Sequence, residues 1–291
     1  MRLVMTLIAG ELPAERAVAV AGAIDAAAPD WLAPERACDL FFDGDPAAAE
    51  RAARSVLGDA PVDCLVQPVA GRRKSVLVAD MESTVIENEM LDELADFVGL
   101  RGPVAEITRR AMNGELDFAA ALAERVALLK GLPQSVLDEA YARIRVVPGA
   151  RPLVATMRAA GAETALVSGG FGCFAERVAD RLGFDRVVCN HLDIANGHIA
   201  GTVRAPIVTA ATKRETLIAL AEARDVALTD TLAVGDGAND LPMLLQAGLG
   251  IAFRAKPAVA AAARWRVDHA DLRALLYAQG YRQEEIVEPQ L

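Results

Sequence analysis

Aromatic residues make up only 4% of this 291-residue chain, with three histidines and four cysteines. Few rings leave the core to aliphatic side chains, and the 53% hydrophobic content is rich in Ala, Leu and Val. With 24% charged residues, the composition is that of a folded globular protein. Neither the histidines (His191, His198, His269) nor the cysteines (Cys38, Cys64, Cys173, Cys189) show metal-ligand or C-x-x-C spacing in sequence. We therefore expect reduced thiols, a cytoplasmic location and no zinc site. Basic residues are outnumbered, 30 against 40 acids, for a net charge of −10. That balance argues against non-specific binding to nucleic acid or to an anionic membrane. No apolar run is long enough to span a bilayer. The opening "MRLVMTLIAG" has one basic residue and no small-residue cleavage site, and reads as a β-strand rather than a signal peptide.

The first 70 residues read as a small α/β unit. "RLVMTLIA", "RACDLFFD" and "VDCLVQPV" are predicted strands, and 14–27 and "DPAAAERAARSVLG" are predicted helices. Arg72-Arg73-Lys74 is expected in a solvated junction. From Ser75 the pattern changes to strand–loop–helix units: "SVLVAD", a long helical stretch over 86–142, then "ETALVSGG", "RVVCN", "TLAVGDGAND" and "LGIAF", with "WRVD" closing the sheet. "IANGHIAGTV" is expected to be a hairpin turning at Asn196-Gly197. Apolar strands alternating with helices imply α/β architecture, with a parallel sheet covered on both faces. Ligands in such sheets bind beyond the carboxyl ends of the strands, near a switch in strand order. The tail "RQEEIVEPQL" is expected to fray.

Polar residues follow three of the apolar runs directly. They are Asp80, Glu82 and Thr84 after "VLVA", Ser168-Gly169-Gly170 after "ALV", and Asp236, Asn239 and Asp240 in "AVGDGAND". Carboxylates gathered at one sheet edge repel unless a cation lies among them, and an all-oxygen donor set suits Mg²⁺. Lys213 and glycine N–H groups beside such an ion would suit a phosphate.

"DMESTVIENEMLDELA", "AMNGELDFAAALAERVALLKGLP", "LVSGGF", "KRETL" and "AVGDGANDLPML", in this order, resemble the haloacid dehalogenase superfamily, and within it the phosphoserine phosphatases. The resemblance covers about residues 75–280. It implies a Rossmann-like parallel sheet with a helical cap inserted after its first strand. The core would comprise 75–85 and 146–280, and the cap about 86–145, within a domain of 75–291. Residues 1–70 resemble the ferredoxin-like, ACT-type domain found in longer members. The implied activity is Mg²⁺-dependent hydrolysis of O-phospho-L-serine, the last step of serine biosynthesis. Asp80 would be the nucleophile, giving an aspartyl-phosphate. The implied metal ligands are Asp80, Asp236, the main-chain carbonyl of Glu82 and, through water, Asp240. Ser168, Gly169, Lys213 and Asn239 would hold the phosphate. Arg125 would bind the substrate carboxylate, Glu89 its ammonium group, and Met112 and Phe118 would shield the site.

Glu82 departs from the family pattern, which places Asp two residues after the nucleophile. Its implied task is to protonate the leaving alkoxide and then activate water. The extra methylene shifts the carboxyl tip by about 1 Å, enough to cost on the order of 10²-fold if uncorrected. Relatives with Asp-x-Glu include phosphoserine/homoserine phosphotransferases, so an alcohol acceptor is a rival reading. A non-catalytic amino-acid sensor is another. Taken singly, the residues also have plain roles: Arg125 as a structural partner of Asp117 or of neighbours of Glu124, Glu89 as a solvated acid, and Asn239-Asp240 as the cap of a helix starting at Leu241.

Overall fold

A computed structural model describes residues 2–112 and 117–289, apart from the side chains of Ala111 and Met112. The amino-terminal unit runs β1 (Leu3–Ala9), α1 (Ala14–Ala23), β2 (Asp30–Ala33), β3 (Ala37–Phe42), α2 (Pro46–Leu57), β4 (Val62–Pro68). Its antiparallel sheet has the order β2-β3-β1-β4, the ferredoxin-like split βαβ arrangement. β2 is absent from the sequence reading because its four residues sit between Pro29 and Pro34, with too little alternation to register. α2 starts where its sequence dictates: Asp45 accepts from the Ala47 and Ala48 N–H groups, and Pro46 opens the first turn. One sheet face packs on α1 and α2 through Leu7, Val20 and Ala53. The other sends Ile8, Leu32 and Leu65 into the core of the second unit.

The second unit is built on seven strands: β5 (Val76–Ala79), β6 (Glu163–Phe171), β7 (Arg186–Ala195), β8 (His198–Arg204), β9 (Thr231–Gly235), β10 (Leu249–Phe253) and β11 (Trp265–Val267). Their order is β11-β10-β9-β5-β6-β7-β8, parallel except for the β7–β8 hairpin. The hairpin turns at Asn196 and Gly197, both at positive φ (52° and 73°). β7 runs well past the expected "RVVCN" because its second half leaves the parallel sheet to pair with β8. Strand order reverses at β5, the first strand of the sheet in sequence. β5 is buried on both faces: Leu77 and Ala79 join one core, Val76 and Val78 the other. This explains its uninterrupted apolar run. α7 (Ala150–Ala159), α8 (Gly172–Leu182), α9 (Ala210–Ala223), α10 (Leu241–Gln246) and α11 (Pro257–Ala262) link the strands, and α12 (Ala274–Ala278) follows the last.

Between β5 and β6 the chain forms α3 (Met90–Phe97), α4 (Arg101–Met112), α5 (Phe118–Ala127) and α6 (Ser135–Tyr141). The single helical stretch expected over 86–142 is therefore a set of short helices. Gly99 (φ 69°), directly after the α3 cap residue Val98, takes the left-handed conformation that stops that helix, and Gly131 (φ 85°) closes the turn that follows α5. Leu94, Leu122, Val126, Leu129 and Leu137 carry the apolar contacts of this insertion.

Two polar expectations are corrected at the seam between the units. Arg72 and Lys74 are buried, not solvated. Arg72 donates to both Asp39 oxygens (2.7 and 3.0 Å), to Thr6 Oγ1 and to the carbonyls of Tyr277 and Ala278. Lys74 Nζ donates to the carbonyls of Gly71 and Thr229. Trp265 Nε1 donates to the Val66 carbonyl (2.7 Å), and Asp63 accepts from the N–H groups of Asp268, His269 and Ala270. The tail is also docked through Glu288: Arg282 pairs with Asp30, the Val287 N–H donates to Thr156, and Arg273 pairs with Glu288. Among the described residues, no helix is long and apolar enough to cross a membrane.

Candidate active site

The tips of β5, β6 and β9, three adjacent strands, converge at the point where strand order reverses. The Asp80 N–H continues the ladder to the Val234 carbonyl (3.0 Å), so its side chain leaves the sheet at a fixed place. Ser83 then turns the chain at φ 54°, and Thr84 Oγ1 reaches back to Asp236 Oδ1 (3.4 Å). On β6 the pairing with β7 shifts between Val167 and Phe171, so Ser168-Gly169-Gly170 bulges out of the sheet. Ser168 Oγ accepts from the Gly170 N–H, and Asn190 on β7 donates to the Gly169 carbonyl (2.7 Å).

One ligand oxygen from each of Asp80, Asp236 and Asp240 lies within 4.8 Å of the others, and all three residues are buried. Lys213, 1% exposed on the first turn of α9, sits 2.5 Å from Asp80 Oδ1 and 2.6 Å from Asp240 Oδ1. The second Asp240 oxygen accepts from the Gly237 N–H (2.9 Å). Gly235 makes this possible, since a Cβ there would lie 2.3 Å from the Asp240 carboxyl carbon. Lys256 approaches Asp236 to 3.7 Å from the rim. Three carboxylates against one buried ammonium leave the pocket short of positive charge. Burial pushes Asp80 up to about 7, opposed by Lys213, and pushes Asp236 up to about 6, opposed by Lys256. Lys213 is held firmly protonated: its two carboxylates outweigh the burial that opposes its charge. This all-oxygen donor set with uncompensated charge fits a hard divalent cation.

Glu82 joins the two sides of the cleft. Its Oε1 accepts from the Met90 N–H (2.8 Å) at the start of α3, and its Oε2 lies 3.2 Å from where a Gly170 Cβ would be. Burial, reinforced by the charge of Glu89, pushes its carboxyl up to about 8. Glu89 precedes α3 and accepts from Ser83 Oγ (2.8 Å). From α5, the Phe118 ring closes on Gly169, its Cζ 3.4 Å from a Cβ position there. Arg125 is half-buried on the same helix. Burial lowers its pKa, opposed by the acids Asp92, Glu82 and Glu89. Among the described residues its one hydrogen bond goes to the Ala121 carbonyl (3.2 Å), and no carboxylate lies within ion-pair distance. The expected structural partner Asp117 instead caps α5 at Ala120, and Glu124 itself pairs with Arg110. Asn239 is half-buried in the turn after β9, and Met112 ends α4 with its side chain outside the described residues.

Three contributors were missed in the sequence. Asn190, where β7 leaves the parallel sheet, fixes the 168–170 bulge, Lys256 follows β10, and the Met90 N–H gives no sequence signal. Asn190 was findable, since it directly follows the apolar run Val187-Val188-Cys189, while Lys256 lies three residues past β10, behind Arg254. The groove lined by Arg158, Glu163, Asp185 and Arg224 is a weaker candidate: it lies at the amino end of β6, and its Arg158 and Asp185 neutralise each other at 2.7 Å.

This sheet with carboxylates at its central tips is that of a haloacid dehalogenase-like hydrolase. The model of that family matches residues 77–245, and the chain belongs to it. Within the family, the chain is 46% identical to the phosphoserine phosphatase of Streptococcus thermophilus over 199 residues, 68% of this chain and 93% of that one. A crystal structure of a probable phosphoserine phosphatase from Vibrio cholerae matches 97% of this chain and 88% of its own, with TM-score 0.81 and 31% identity. A phospho-aspartyl intermediate analogue of phosphoserine phosphatase matches 70% of this chain and 98% of its own, with TM-score 0.65 and 37% identity.

Proposed function

We propose that the protein hydrolyses O-phospho-L-serine to L-serine and phosphate through a phosphorylated Asp80, with Mg²⁺ as its cation. The single observation that carries the substrate assignment is Arg125, a half-buried guanidinium with no carboxylate partner among the described residues, on the helix whose Phe118 ring faces Gly169 of the strand-tip bulge. A cation with no internal partner suits the carboxylate of an amino acid. Kinship with phosphoserine phosphatases supports the same choice. We read residues 1–70 as an ACT-like unit on their βαββαβ order, 86–145 as the cap, and Met112 as a shield of the site.

In the proposed reaction an Asp80 oxygen attacks phosphorus, and the bond from phosphorus to the serine oxygen breaks. Glu82, protonated at neutral pH, gives its proton to that oxygen. The resulting carboxylate takes a proton from the water that next attacks the aspartyl-phosphate, freeing Asp80 and phosphate. Lys213 and the Ser168–Gly170 bulge bind the transferring oxygens, with Asn239 beside them, and Glu89 faces the substrate ammonium. Asp80, Asp236 and the main-chain carbonyl of Glu82 would hold the cation, with Asp240 behind through water, and the ion would offset repulsion between carboxylate and phosphate.

The test is product analysis with Mg²⁺ and phosphoserine, with and without homoserine. Equal yields of serine and phosphate, unchanged by homoserine, are expected. Phosphohomoserine would make the protein a phosphotransferase, and no turnover across a panel of phosphate esters would leave the sensor reading.

A further inference from the structure

The activity above leaves Cys189 and its surroundings without a role. On β7, Cys189 and His191 are two residues apart and so lie on one face of the strand. Glu176 comes from the first half of α8, which packs over that face. The Cys189 Sγ, a His191 ring nitrogen and a Glu176 carboxylate oxygen all lie within 4.8 Å of one another. His191 Nδ1 is 3.9 Å from Glu176 Oε1. The backbone is cleared for them: a Cβ at Gly172 would fall 2.8 Å from His191 Nδ1 and 2.9 Å from Glu176 Oε1.

The bland account is a thiol packed as a small hydrophobe beside a surface His–Glu pair of little worth. It explains each residue but not the meeting of three donor types at a glycine-cleared point. We propose that Cys189, His191 and Glu176 form a zinc-binding site, separate from the oxygen-only site at Asp80, with water in the fourth position. Zinc takes sulfur, nitrogen and oxygen donors at about 2.0–2.3 Å, so the donors of one ion sit roughly 3.3–3.8 Å apart. Glu176 and His191 are exposed and free to close the remaining distance by rotation. Donor chemistry sorts the ions, since thiolate and imidazole favour Zn²⁺ where a carboxylate cluster favours Mg²⁺. The location gives the site a mechanical effect. Asn190, between the two β7 ligands and facing the other way, holds the Gly169 carbonyl and accepts from the Val208 N–H. An ion joining β7 to α8 braces the Ser168–Gly170 bulge from both sides. Binding must displace the thiol proton, which burial and Glu176 hold at about 11, so zinc affinity rises with pH.

The test uses the reduced full-length chain and Co²⁺ as a spectroscopic stand-in, followed by Zn²⁺ displacement. The wild type is expected to develop a thiolate-to-cobalt charge-transfer band that Zn²⁺ abolishes. Cys189→Ser should lose the band, His191→Ala should weaken cobalt binding at least tenfold, and Asp236→Asn should keep it. Both His191 and Glu176 are exposed, so His191→Ala and Glu176→Gln remain informative should Cys189→Ser fold poorly. No band in the wild type, a band that survives Cys189→Ser, or cobalt binding unchanged in both exposed-residue variants would overturn the site. None of these readouts depends on phosphatase activity.

Discussion

Two arginines, Arg72 buried and Arg125 half-buried, divide the molecule into two kinds of interface. Arg72, at the seam between the amino-terminal sheet and the main unit, is saturated: a bidentate Asp39, a hydroxyl and two carbonyls surround it. Arg125, at the seam between the helical insertion and the strand tips, has a carbonyl of its own helix and acids beyond ion-pair distance. Both seams carry charge out of water. The first returns its donors to acceptors within the chain, and the second leaves its guanidinium without an ion-pair partner among the described residues, open to the proposed substrate. A buried charge paired in full holds its parts in one arrangement, while a charge left without an internal partner is a candidate binding site.

The largest effect expected from this contrast falls on the open seam. Asp80→Asn should reduce turnover by at least about 10⁴-fold, because an amide cannot form the acyl-phosphate. The fold should persist, and acid quenching with labelled phosphoserine should trap phosphate on the wild type alone. Substantial residual turnover would remove Asp80 from the nucleophile's role. On the closed seam, Arg72→Ala should cost about 3–5 kcal/mol in urea unfolding, since Asp39 is then buried without its partner. Adding Asp39→Leu to Arg72→Met should recover most of that loss, and a small effect of Arg72→Ala alone would show the seam to be wet. Glu82→Gln should slow phosphoenzyme formation by about 10²-fold. Its acid form is needed in that step and prevails below about 8. The wild-type rate of that step should therefore fall as pH rises through about 8, and Glu82→Gln should lack that limb. Smallest, Arg125→Ala should raise KM for phosphoserine by about 10- to 100-fold, the worth of a charge-assisted contact. It should change stability by less than about 1 kcal/mol and spare a phosphate ester that has no carboxylate. Equal losses on both esters would put Arg125 on the structural side of the comparison.

The open seam was legible in the sequence and the closed one was not. Strand tips announce themselves, because an apolar run that ends in Asp80, Ser168 or Asp236 has its polar residue placed by the sheet. Arg72 and Lys74 carry no such mark. What buries them comes from Asp39 and from carbonyls of residues 229, 277 and 278, distant in sequence. The docked tail was missed for the same reason, its acids and Arg282 being paired with Arg73, Arg273 and Asp30. The insertion read as one helical stretch because its apolar stripe continues across glycines that break the backbone. Glu82 read as a misfit for want of the Met90 N–H, a backbone group that only the placement of α3 reveals.

That last contact ties the acid strength of Glu82 to the insertion. The amide that steadies the Glu82 anion belongs to the first turn of the insertion, while the rest of its carboxyl lies against the sheet. A shift of α3 away from β6 would remove a donor that lowers the carboxyl's pKa and undo the burial that raises it, and burial is the larger of the two causes. The acid strength that the proposed cycle asks of Glu82 is thus set jointly by the sheet and the insertion, so chemistry on one side depends on the fit of the other.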